Sequence, residues 1–104
     1  MKLIATAIAT TLSFSPVSIS RFADDYTYLF QREMAAQPTQ TMINHALSVG
    51  RTYCRSKRSR GQEAATSEVF ESIAVVANKD KAREQLLLKT VLPAIVSANR
   101  NLCP

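Results

Sequence analysis

Ala46-Leu-Ser-Val-Gly50-Arg-Thr-Tyr-Cys54, answered at the far end of the sequence by Asn101-Leu-Cys103-Pro104, is the stretch whose reading decides the fold. At about 100° per residue, Ile43, Ala46, Leu47, Gly50 and Cys54 share one helical face, flanked by Met42, Val49 and Tyr53. The spacing predicts a helix over 41–59, ended by Gly61, the residue that most readily takes a left-handed cap. Gly50 costs such a helix about 1 kcal/mol relative to alanine. Its place on the apolar face therefore predicts the close approach of another helix, and Cys54 shares that inward face.

Working outward, the aromatic run Phe22, Tyr26, Leu29, Phe30 and Met34 predicts a preceding helix with one apolar stripe. Its start is expected at Ala23-Asp24-Asp25, where an aspartate caps the first amides. Tyr28 turns away, and Glu33 falls inside the stripe. Gln37-Pro38-Thr39 ends this helix. Beyond Gly61, a third helix places Ala65, Val69, Phe70, Ile73, Val76 and Ala77 on one stripe, with Thr66 or Ser67 able to cap a shorter version. Asn78-Lys79 forms a turn and Asp80 caps a fourth helix over 81–101. That helix is apolar nearly all round between Leu86 and Val96, as expected of a central helix buried by several neighbours. Pro93 predicts a kink or a split near 90–93. The expected architecture is all-α, about four helices in a small orthogonal bundle, with no strand alternation, repeat or second domain.

The N-terminus carries the three parts of a secretory signal: Lys2, an apolar run of 12 residues over 3–14, and the small residues Ser18-Ile19-Ser20 after Pro16. Cleavage is expected after Ser20. The apolar run is shorter than the roughly 20 residues a spanning helix needs, and no later stretch is long enough. The product is expected in the periplasm, the cell wall or the medium. The remaining 84 residues are one domain, near the size at which a single core is only marginally stable. Cys54 and Cys103 are an even pair in a chain bound for an oxidising compartment, which favours a disulfide over two free thiols. A zinc site needs about four ligands, and two cysteines with one histidine do not supply them. No metal or cofactor is expected.

Residues able to do chemistry are few. His45, the sole histidine, sits on the polar side of the second helix, and no motif gives it an orienting partner and a nucleophile; a hydrolase acting through it is the weakest functional class. With two glycines, a phosphate-cradling loop is excluded. The concentrated feature is basic: Arg51, Arg55, Lys57, Arg58 and Arg60. Arg51, Arg55 and Arg58 fall within about 60° of one another as a stripe beside the apolar face. The stripe reads either as solubilising cations near a helix C-terminus or as a docking surface for an anionic envelope polymer, lipid headgroup or acidic protein. Nucleic acid is disfavoured, because the chain is exported and no aromatic residues interleave with the cations.

The pattern Ala46-x-x-x-Gly50-x-x-x-Cys54, followed by a variable helical middle and a last helix with Ala94 and Ala98 ending in Leu102-Cys103-Pro104, resembles the small exported two-cysteine domain of unknown function best known from actinobacterial secretomes. The resemblance implies an all-α domain with Cys54 bonded to Cys103. The basic run after Cys54 departs from it, a shorter glycine-containing turn being more usual there. A rival resemblance is to acid-activated periplasmic chaperones, which are small, helical and held by one disulfide, though a carboxylate-rich interface is missing here. The leading expectation is a non-enzymatic binding protein of the cell envelope. The alternatives are a holdase-type chaperone and a binder of anionic polymer through Arg51, Arg55 and Arg58.

Overall fold

Side-chain caps start three of the four helices. Ser15 accepts from the Ser18 amide at 3.0 Å, Thr39 from the Met42 amide at 3.1 Å and Asp80 from the Arg83 amide at 3.1 Å, each satisfying one of the free N–H groups of a first turn. The computed structural model, which describes residues 15–104, accordingly has four helices: α1 (Pro16–Met34), α2 (Gln40–Arg60), α3 (Gln62–Ala77) and α4 (Lys81–Asn101). Lys2 and the apolar run over 3–14 lie outside the described residues. No strand occurs among the described residues.

Two starts differ from expectation. Helix α1 begins at Pro16, seven residues ahead of Ala23, because proline at the first position has its φ already set and lacks only an N–H that would be free anyway. The expected cleavage point after Ser20 thus falls within α1. Asp25 is not a cap; it accepts from Arg100 at 3.2 Å and from Asn101 at 3.1 Å, tying α1 to the end of α4. Helix α3 starts directly after Gly61 with no side-chain cap, well before Thr66 or Ser67. Gly61, at φ 93°, serves as the whole connection between α2 and α3, a backbone angle that favours glycine.

Helix α4 touches each of the other three and is the centre of the bundle, as expected. It runs unbroken past Pro93, so the expected split does not occur. The core joins the α1 aromatics Phe22, Tyr26 and Phe30, whose rings follow one another near-parallel at 6.1 Å and then tilted at 5.7 Å, to Ala46, Tyr53 and Cys54 of α2 and Ala94, Ile95 and Ala98 of α4. Burial pushes the Tyr26 phenol above its ordinary pKa, so the ring sits neutral inside the core. On α3 the expected stripe is only partly used. Ala65, Ile73 and Ala77 are buried, whereas Phe70 and Val76 are 45% and 58% exposed, because α2 and α4 pack on the side of α3 that carries the first three and leave these two outside the contact.

The helix crossing that the sequence predicted at Gly50 is present. A methyl group built there would lie 3.2 Å from the Ala98 Cβ, 3.2 Å from a Phe22 ring carbon and 3.3 Å from a Leu102 methyl. Gly50→Leu is therefore expected to cost about 1–3 kcal/mol despite leucine's better helix propensity, read as a lower urea midpoint at unchanged m-value. A more stable variant would show that the crossing is not needed.

Ser97 gives the opposite expectation. It is fully buried on α4 between the small residues of this seam, and its Oγ has no partner among the described residues, while its carbonyl accepts from Asn101 Nδ2 at 2.9 Å. A buried hydroxyl without a partner costs about 1–3 kcal/mol, and alanine is the better helix former. Ser97→Ala should raise the melting temperature, and a fall would mean that the hydroxyl is satisfied after all.

Candidate functional site

The five cations of α2 separate by their position around the helix. Lys57 turns to α4 and donates to Asn99 Oδ1 at 2.9 Å, and Asn99 in turn donates to the Tyr53 hydroxyl at 3.2 Å. Arg60 pairs with Glu68 of α3, which also accepts from Ser56 Oγ at 2.7 Å. Arg51, Arg55 and Arg58 are exposed along the outer edge of α2. Lys57 and Arg60 tie α2 to α4 and α3.

Between α2, α3 and α4 lies a groove of about 580 Å³. Val49 and Tyr53 of α2, Val69 and Ile73 of α3, and Leu87 and Val91 of α4 give it apolar walls, while His45, Ser48, Thr52 and Ser72 stand at its polar rim. Its geometry follows from the antiparallel α2–α3 hairpin, in which residues at i, i+3, i+4, i+7 and i+8 of each helix form the facing stripe. The Arg60–Glu68–Ser56 tie closes it toward Gly61. The α3 lining runs from Ala65 to Val76, about 16 Å at helical rise. Arg55 and Arg51, one turn from Thr52 and Ser48, border it on the α2 side.

His45 is exposed at this rim, and its ring makes no hydrogen bond among the described residues to Ser48, Thr52 or Ser72, the hydroxyls that share the groove with it. No cluster of three metal-ligating side chains occurs among the described residues. Sequence reading placed Val69, Ile73 and Val76 in an apolar stripe and Val49 on the flank of another, and did not separate groove from core. The available signal was the band of Ser48, Thr52 and Ser72 beside those valines, since hydroxyls one turn apart on facing helices mark a side open to water.

The two cysteines meet as expected: Cys54 and Cys103 form a disulfide with a Cα–Cα distance of 5.0 Å. It fastens α2 to the turn after α4, where the Leu102 and Cys103 amides both donate to the Ala98 carbonyl at 2.8 Å. No free cysteine remains. No helix among the described residues is long and apolar enough to cross a membrane. No protein-family model, curated protein or solved structure matches this chain.

Closing a loop with a sequence separation of 49 residues stabilises by about 4 kcal/mol in the chain-entropy model. Reduction should therefore lower the melting temperature by about 15 °C or more, and a thiol titration of the unreduced, denatured protein should find no reactive group. Two thiols per chain would contradict the bond.

Proposed function

We propose that this chain is a non-enzymatic binding protein of the cell envelope, and that it takes the apolar chain of an anionic amphiphile into the α2–α3–α4 groove. The observation that carries the reading is the pairing of an apolar groove with a basic edge: valines, Ile73 and Leu87 inside, Arg51 and Arg55 outside. A volume of about 580 Å³ lies within the range of about 300–1,000 Å³ typical of small-molecule sites, which are apolar with a few placed polar groups. An acyl chain fits the elongated walls. Its headgroup would then lie at the hydroxyl rim, within reach of the α2 cations, where an anionic group is attracted and a cationic one repelled. On the opposite edge the Glu68 charge is already balanced by Arg60, which leaves the positive edge dominant there.

Export and the envelope location belong to this proposal, supported by the signal-like N-terminus and the disulfide. The membership suggested by the two-cysteine pattern is part of the same reading. The Arg51, Arg55 and Arg58 stripe serves here as the electrostatic half of one site, in place of a separate polymer-binding surface.

Titration with a fluorescent fatty-acid analogue tests the idea. Saturable binding is expected, and Ser72→Phe, which fills the groove from its rim, should abolish it while the circular dichroism spectrum stays helical. Replacing Arg51, Arg55 and Arg58 together by glutamine should weaken binding several-fold and flatten its salt dependence, with the fold unchanged because all three are exposed. Failure of the wild-type protein to bind the probe rejects the groove reading. Suppression of client aggregation at low pH by a protein that does not bind the probe would favour the holdase-type alternative.

A further inference from the structure

His45 is the sole histidine of the chain, and the fold makes no use of it: it is exposed, and its ring makes no hydrogen bond among the described residues. Its place in the α2–α3–α4 groove is nevertheless defined. Gly61 is the whole connection between α2 and α3, and His45 and Val76 lie 16 and 15 residues from it on the two antiparallel helices, so they stand at one level. The Arg60–Glu68–Ser56 tie closes the groove toward Gly61, which makes the end with His45 and Val76 its open mouth. From Tyr53 to His45 the α2 wall runs about 12 Å at helical rise. Within the hydroxyl rim, Ser48 lies three residues from both His45 and Arg51, one helical turn on either side. A headgroup seated at Ser48 is therefore bordered by Arg51 toward the closed end and by His45 toward the mouth.

We propose that His45 recognises the headgroup of the groove's anionic amphiphile, and that its charge makes binding tighter as the solution is acidified. This rests on the reading of the groove as an amphiphile site and adds the residue that regulates it. Histidine side chains as a class change charge between about pH 5 and 8, and the charge gained is positive, so an anion is held more tightly at the acid end of that range. No other lining residue competes for this role. On α3 the one ionisable side chain in the groove is Glu68, already paired with Arg60 at the closed end, while Glu63 and Glu71 lie off the lining. The α4 wall, Leu87 and Val91, carries no charge, and α1 contributes nothing to the groove. Beyond the mouth in sequence lie Lys79, Asp80, which caps α4, and Lys81 paired with Glu84 at 3.9 Å. An anionic headgroup at Ser48 thus meets a permanent cation, Arg51, and one that pH adds. A single exposed charge contributes modestly, so the gain in affinity is about two- to fivefold.

Titration of the disulfide-intact protein with a fluorescent alkyl sulfonate, whose headgroup stays ionised throughout, tests the assignment at about pH 5.5 and about pH 8. The wild-type protein should bind about two- to fivefold more tightly at the lower pH. His45→Gln, at an exposed position that the fold tolerates, should bind at both pH values with the affinity that the wild type shows at the higher one. His45→Lys should show the tighter affinity at both. A neutral probe with the same alkyl chain should bind equally at the two pH values, which separates a charge effect from a change in the groove itself. Wild-type binding of the sulfonate that is equal at both pH values overturns the role of His45 and leaves the groove reading standing, as does a pH response that survives in His45→Gln or that the neutral probe shares. A wild-type protein that binds none of these probes at either pH rejects the groove reading, and the role of His45 with it.

Discussion

The close approach of α4 to α2 at Gly50 is the constraint on which the rest depends. Two helices whose facing residues are Ala46, Gly50 and Cys54 on one side and Ala94, Ala98 and Leu102 on the other pack backbone to backbone more tightly than larger residues allow. The Phe22 ring seats against the same spot and brings α1 into the seam. The Cys54–Cys103 bond then holds the end of α4 there covalently. In a domain this small, the bond supplies a share of the stability that a larger core would give.

That seam also explains where the large side chains go. Because α4 presents its small residues to α2, its leucines and valines are displaced to its flanks: Leu87 and Val91 toward α3, Leu88, Leu92 and Val96 toward α1 and solvent. Four helices do not close over both flanks. Two grooves result, one on each side of α4, and the exposure of Leu92, Val96 and Val76 is their visible consequence. A contiguous apolar surface of this kind on a small domain marks interaction. The grooves are thus a by-product of tight packing that partners can exploit.

Much of the fold was legible in the sequence, and the reasons differ by element. Ala46, Gly50 and Cys54 could be read as a buried face because spacing by four on a helix is geometric, and Asp80 as a cap because its mechanism is local. Pro16 was read only as the residue that follows an apolar run, and that it also opens α1 was missed; the helix start there depends on the Ser15 cap. The pair Asp24-Asp25 was taken to hold a cap, whereas Asp25 finds its partner 75 residues away in sequence, a contact no local pattern encodes. Periodicity placed Phe70 and Val76 on an apolar face correctly, but it does not report whether another helix covers that face. For the same reason the groove was not visible beforehand, although Arg51 and Arg55 beside it were.

The two charged features then separate by what they can accomplish. Arg51, Arg55 and Arg58 form a stripe of one sign, which attracts any anion and steers it without fixing its orientation. The α1–α4 groove carries both signs, with Arg32 and Glu33 on α1 and Lys89 on α4, so its charges favour neither sign of partner. A face with one sign of charge beside an apolar slot is suited to a ligand with an anionic end and an apolar body. One small bundle, held by Gly50 and a disulfide, thereby leaves an apolar groove on each side of α4, and of the two the α3-side groove is the one bordered by an edge of a single charge sign.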